Sequence, residues 1–289
     1  MMNVEQELAS QPSIWLEVEK YEKTISSLLP KPGSRVAIVG AGTSWFMAQI
    51  IATIREVEGF GETDAFPSSE MMYGRKYDQV IAISRSGTTS EVADLLAKIK
   101  EPTLVITGVA DSPVTKVADQ SIVMEFADEK SIVQTRWATS VLTLFRSYFG
   151  HDIAKISRDG ELALASDLGK LPDSEQITFL GHGWTVGLAN EAALKVRETA
   201  QFWSEAYPAL DYRHGPIAVA QPGRAVWYFG ELSDDLKADI LATGAMLEFS
   251  TLDPMAHLIR AQRTAIALAK NRGLNPDQPR GLSRSVILT

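Results

Sequence analysis

The chain has no cysteine. Disulfides, thiolate metal sites and cysteine nucleophiles are excluded together, and a reducing cytoplasm suits such a sequence. It also lacks any apolar run of about eighteen residues, so no transmembrane helix is expected. Met1 to Glu19 carry several glutamates and no basic segment followed by an apolar one, which speaks against a secretory signal. Positive charge is in deficit. At a net charge of −8 the chain offers no general basic face for displacing counterions from nucleic acid. An anionic ligand would have to be held by local dipoles and a few placed cations.

What is present is ordinary globular composition, 45% hydrophobic and 22% charged, with no low-complexity tract. A length of 289 residues exceeds one compact core and suits two domains of about 140 each. Val4 to Leu8 and Ile14 to Leu29 carry apolar residues at helical spacing, interrupted at Gln11-Pro12 and ended by Pro30, Pro32 and Gly33. Val36 to Val39 then reads as a short strand, Gly40 and Gly42 as a tight turn, and Trp45 to Arg55 as a helix. The pattern recurs with a strand at Val80 to Ile83, a turn over Ser84 to Thr89 and a helix from Ser90 to Ile99. A third strand is expected at Thr103 to Thr107. Alternation of this kind predicts parallel βαβ units.

The second half echoes the first. Val36 to Ala52 reads VAIVGAGTSWFMAQIIA and Ile177 to Ala193 reads ITFLGHGWTVGLANEAA. Gly40 meets Gly181, Gly42 meets Gly183, Ala48 meets Ala189 and Ala52 meets Ala193, always 141 positions apart. Ala225 to Phe229 and Asp234 to Gly244 look like the second copies of the Val80 strand and its helix. A duplication explains this; a chance match of a common strand–turn–helix pattern is the alternative. The organisation expected is a helical segment over 1–32, a first domain over 33–165 and a second over 166–289, with the junction near Gly160–Pro172.

Two clusters carry chemistry. In open parallel sheets, ligands sit at the carboxyl ends of strands, against helix N-termini. There the first half places Gly42, Thr43 and Ser44 after one strand, and Ser84, Ser86, Thr88 and Thr89 after another. Hydroxyls, glycine backbone and a helix dipole suit a phosphate monoester, whereas helix capping alone would need fewer hydroxyls. Arg85 either adds a cation there or turns to solvent. Gly40-Ala41-Gly42 supplies only half of a dinucleotide fingerprint, with Trp45 where the third glycine belongs.

In the second half, Glu191, Lys195 and Glu198 share one helix face. Glu191–Lys195 alone would be a routine surface ion pair. An apolar stretch then leads to Tyr212-Arg213-His214-Gly215-Pro216, where Gly-Pro fixes a turn that sets the imidazole. His151, His182 and His257 have no comparable setting. No spacing of His and carboxylates suggests a metal site, so neither a metal nor a cofactor is expected.

These segments resemble a known family. Glu191-Ala-Ala-Leu-Lys195, Glu198, Glu205-Ala-Tyr207 and Arg213-His214-Gly-Pro216 are similar to the isomerase half of glucosamine-6-phosphate synthase. They are also similar to related phosphosugar isomerases and aminosugar-phosphate deaminases with two SIS (sugar isomerase) domains. Ser84-Arg-Ser-Gly-Thr-Thr89 resembles that family's phosphate loop, Gly42-Thr43-Ser44 its first hydroxyl turn, and Gln278-Pro279-Arg280 to Val286 its tail. The resemblance implies an α/β fold of two tandem SIS domains, each a flavodoxin-like parallel sheet flanked by helices. It implies that Ser84, Ser86 and Thr89, with Ser44, bind the 6-phosphate, and Gly42, Thr43 and Arg85 join them as candidate substrate-binding residues. Glu198 would move a proton between C1 and C2, His214 would open the ring from a neighbouring subunit, and Lys195 and Arg284 would complete the catalytic set. A homodimer with shared active sites follows, acting on a small sugar phosphate and on neither nucleic acid nor membrane.

Two departures refine the expectation. The synthase's glutamine-hydrolysing domain has no counterpart and no cysteine could serve it, so no glutaminase activity is expected. The family's tail lysine is Arg284, which does not form Schiff bases because it keeps its proton; a fixed cation near the sugar carbonyl or its oxyanion is the role expected of it. The function expected is aldose–ketose isomerisation, in the form of an aminosugar-6-phosphate deaminase/isomerase or a related deglycase. The alternative is a non-catalytic sugar-phosphate-binding regulator.

Overall fold

Val36–Gly40 and Thr103–Thr107 are buried at every position, which marks strands covered on both faces. They sit centrally in one of two parallel sheets. The structure, a computed structural model, describes residues 2–288, which divide into two units. Among the described residues, no helix is long and apolar enough to cross a membrane.

Two helices open the chain, α1 (Asn3–Ala9) and α2 (Gln11–Ile25). They are followed by β1 (Val36–Gly40), α3 (Thr43–Val57), β2 (Thr63–Pro67), β3 (Gln79–Ile83) and α4 (Ser90–Leu96). Then come β4 (Thr103–Thr107), α5 (Pro113–Val117), β5 (Gln120–Val123) and α6 (Arg136–Tyr148). The strands run parallel in the order β2-β1-β3-β4-β5, the flavodoxin-like arrangement. Ala37, Val39, Val80, Ala82 and Val105 pack with Val92, Leu95 and Val114 into one core on a face of this sheet.

The second half contributes α7 (Ile153–Ala165), β6 (Ile177–Gly181), α8 (Thr185–Ala200), β7 (Ser204–Pro208) and β8 (Ala225–Phe229). After them lie α9 (Asp234–Ala242), β9 (Met246–Glu248) and α10 (Pro254–Asn271). Its strands are also parallel, in the order β7-β6-β8-β9. This is the first order without its fifth strand. The long α10 packs along α8, and its start is fixed by Asp253, whose carboxylate accepts from Met255 N, with Pro254 in the first turn.

The correspondence extends to backbone detail. β1 and β6, like β2 and β7, are 141 positions apart and pair in the same register, Gly40 with Pro67 and Gly181 with Pro208. Gly42 and Gly183 both take positive φ, 55° and 56°. A Cβ on Gly40 would stand 2.6 Å from the backbone carbon of Ser44. One on Gly181 would meet the Thr185 backbone still more closely. Each glycine lets the following helix start against the strand end.

The junction expected near Gly160–Pro172 begins within α7, which belongs to the second-sheet unit from Ala154 onward. Residues through Pro12 belong to that unit too, because Asp277 accepts from Asn3 N at 2.8 Å and Val4 N at 2.9 Å. Conversely, the tail from Ser283, expected with the second domain, belongs to the first-sheet unit. Its Val286 carbonyl accepts from Ser90 N at 3.2 Å, and Leu288 N donates to Ser90 Oγ at 3.0 Å.

Candidate active site

The first-sheet unit gathers its hydroxyls at the carboxyl ends of β1 and β3. Thr43 and Ser44 open α3 and are both buried. The turn after β3 is held by Gly87, whose φ of 67° and lack of a Cβ admit the Ser112 side chain at contact distance. Ser84, Arg85 and Ser86 are buried, while Thr88 and Thr89 are half-buried. Ser86 Oγ accepts from Thr88 N at 3.2 Å. The hydroxyl of Thr88 lies 3.0 Å from Ser86 Oγ and 2.8 Å from Ser285 Oγ.

Ser84 differs from its neighbours. Its side chain is 3% exposed, yet Oγ has no hydrogen-bond partner among the described residues. A buried hydroxyl left in that state costs about 1–3 kcal/mol and calls for an explanation such as a ligand.

Arg85 turns inward rather than to solvent. Its guanidinium forms a buried ion pair with Glu129 at 3.5 Å and donates to the Arg284 carbonyl at 3.3 Å. Burial lowers its pKa, with the charge of Glu129 opposing. Arg284 is bound to the same segment. It donates to both carboxylate oxygens of Asp128 at 2.6 Å and to the Glu129 carbonyl. The 128–129 dipeptide thus anchors both the loop and the tail. Sequence reading identified Arg284 but not these partners, which lie 155 and 156 positions away.

The second-sheet unit holds the acid–base candidates. Glu191, Lys195 and Glu198 lie on one face of α8, as their spacing requires. Lys195 Nζ contacts Glu198 Oε2 directly and Glu191 Oε1 at 3.6 Å. The Lys195 and Glu191 side chains are almost wholly buried, whereas that of Glu198 keeps 21% exposure. Of the two carboxylates, Glu198 is the one open to a ligand.

His214 ends a short 3₁₀ turn over Asp211–His214, followed by Gly215 at φ 131°. The imidazole is exposed, and no hydrogen bond joins it to Glu198. The turn itself is fixed. Arg213 pairs with Asp235 at 3.0 Å and Asp239 at 2.8 Å, both on α9. Hydrogen bonds from Ser233 and Arg213 lower the Asp235 pKa to about 2. Tyr212 is packed below, its pKa pushed up to about 12 by burial and the nearby charge of Glu205.

Residues 29–148 match the SIS domain family. The hydroxyl cradle and Glu129 lie within that segment. Over 96% of its length the chain is 27% identical to the isomerizing glutamine–fructose-6-phosphate aminotransferase of Sulfolobus acidocaldarius, covering 53% of that protein. The corresponding enzyme of Pyrobaculum aerophilum is 28% identical over 94% of the chain and 54% of its own length. The chain therefore spans about half the length of the curated relatives it matches. Among solved structures, glucosamine-6-phosphate deaminase from Thermotoga maritima superposes with a TM-score of 0.80 at 25% identity, covering 99% of this chain and 100% of that one. Tagatose-6-phosphate ketose/aldose isomerase from Escherichia coli gives 0.80 at 19%, covering 98% and 97%, a likeness of fold. The chain thus matches about half of the isomerizing aminotransferases in sequence and shares its fold with a ketose/aldose isomerase.

Proposed function

We propose that the protein is a phosphosugar isomerase of two tandem SIS domains, over about 33–165 and 166–289, and that it acts as an aminosugar-6-phosphate deaminase/isomerase. The observation that carries the reading is the buried, unpartnered Ser84 hydroxyl in a loop of clustered hydroxyls. A phosphate oxygen would supply the missing partner. Ser44, Ser86 and Thr89 add donors, and Gly42 and Thr43 shape the turn beside them. Arg85 acts by bracing the loop against Glu129. The pairing of Arg284 Nη2 with both carboxylate oxygens of Asp128 supports a positioning role for this residue as well.

Binding the phosphate orients the opened sugar, so affinity at the remote end serves the reacting carbons. His214 moves the proton that opens the ring. Glu198 removes the C2 proton of the aldehyde, giving an enolamine, and returns it to C1. The resulting imine at C2 takes up water and releases ammonia, leaving the ketose phosphate. Lys195, in contact with both Glu191 and Glu198, holds the Glu198 carboxylate in place for proton transfer. Within one chain His214 is exposed and unpartnered, which fits its donation to a neighbouring subunit in a homodimer.

Ammonia release and ketose formation across 6-phosphorylated amino sugars and hexoses test the reading. A nitrogen-containing substrate should turn over to ketose and ammonia. Ketose without ammonia would reduce the enzyme to a plain isomerase, and tight binding without turnover would make it a sugar-phosphate sensor.

A further inference from the structure

The second-sheet unit carries a cavity that the proposed chemistry does not use. It measures about 820 Å³, within the range of about 300–1,000 Å³ typical of small-molecule sites. It opens at the carboxyl ends of β6 and β8, where the strand order β7-β6-β8-β9 reverses. Open α/β sheets bind ligands at that point. His182 and Trp184 occupy the turn after β6, where the first sheet has Ala41 and Thr43. Glu231 follows β8, where the first sheet has its serine-rich loop.

The lining differs from the cradle in kind. Aromatic surface comes from Trp184 and from Phe249, a 41% exposed residue whose ring has the Lys237 ammonium 4.9 Å from its centroid. The imidazole of His182, the carboxylate of Glu231 and the hydroxyl of Thr251 make no hydrogen bond or ion pair among the described residues. Several donors that would attract a phosphate are already committed. Thr185 N, Val186 N and Gly187 N at the start of α8 donate to the carbonyls of His182, Gly183 and Trp184. Lys155 pairs with Asp159 at 3.1 Å. A carboxylate without a protein partner favours a ligand with a cationic amine over an anion, and the aromatic surface suits the apolar face of a sugar ring.

We propose that this cavity is a second ligand site, for an unphosphorylated amino sugar held by Glu231 and the Trp184 ring. The inference stands on the cavity alone, independent of the reaction proposed above. Its test is calorimetric titration of the full chain with glucosamine, glucose and inorganic phosphate. Glucosamine should bind saturably, and about tenfold more tightly than glucose, because the ammonium–carboxylate bond is charge-assisted. Ser84→Ala should leave that binding intact, while Glu231→Gln and Trp184→Ala should each weaken it about tenfold or more. Glu231 is exposed, so its variant remains folded if the Trp184 variant does not. No saturable binding of glucosamine would overturn the proposal. So would binding that survives Glu231→Gln and is lost in Ser84→Ala, or binding displaced by inorganic phosphate.

Discussion

Ser84 and Arg55 show opposite ways of burying a polar side chain. Ser84 Oγ has no protein partner, and the account assigns it to a phosphate oxygen. Ser84→Ala should raise KM for the sugar phosphate about tenfold to a hundredfold, the worth of one hydrogen bond to a charged group, with melting temperature nearly unchanged. A parallel loss of folding would instead make the hydroxyl structural. Arg55, at 0% exposure, is bonded through both terminal nitrogens: they donate to the carbonyls of Gly61, Lys31 and Ser34 and to Thr63 Oγ1. Burial lowers its pKa. Arg55→Met strips donors from several carbonyls at once and should destabilise the protein by about 3 kcal/mol, read as a shifted denaturant midpoint. The role of Ser84 is legible from its hydroxyl-rich loop, whereas that of Arg55 is not, since it depends on loops brought together by the fold.

At the scale of elements, the buried strands β1, β3, β4, β6 and β8 were readable because a strand covered on both faces is a continuous apolar run. The edge strands were not. β2, β7 and β9 are only partly buried and carry mixed residues such as TDAFP and SEAYP, which have no clear period. The helix expected from Ser90 to Ile99 ends at Leu96, with Ala97 at its cap. The Ser84–Thr89 and Glu191–Glu198 clusters were visible because their members are close in sequence, whereas Glu129 and Asp128 were missed because they reach the loop and tail only through tertiary packing. Gly181 offers a direct check on the element-level account. Its Cβ would strike backbone rather than a flexible side chain, so Gly181→Ala should displace α8 and abolish the cooperative unfolding of the second-sheet unit. For the His214 turn, Arg213→Ala removes both tethers to α9. It should lower kcat by about tenfold to a hundredfold through misplacement of the imidazole, with KM little changed.

Across the whole molecule, pH dependence should carry the mark of His257. This residue is 1% exposed, packed against Trp227 with ring centroids 4.9 Å apart, and bonded through Nε2 to Glu248 at 3.1 Å. Burial lowers its pKa, although Glu248 opposes the shift. The contribution to stability is therefore complete above the unfolded value, about 6.5. It is lost as pH falls through that value towards and through the lowered folded one, because the unfolded chain takes the proton first. Melting temperatures of the wild type should fall across this window, and His257→Phe should flatten that fall. An unchanged slope in the variant would assign the effect to the carboxylates instead. The likeness of the two sheets was legible from the 141-residue offset, but the sorting of the termini into units was not, because it rests on contacts between residues distant in sequence, such as those of Asp277 and Ser90.

The central claim is that Glu198 moves the proton between C1 and C2. It is tested most directly by following deuterium wash-in at the C2 position of glucosamine 6-phosphate in heavy water by proton NMR. The account predicts exchange with the wild-type protein and its loss by about 10²–10⁴-fold in Glu198→Gln, the usual worth of a general base. Exchange that persists in Glu198→Gln, or saturable binding of the sugar phosphate to the wild type without any exchange, would contradict it.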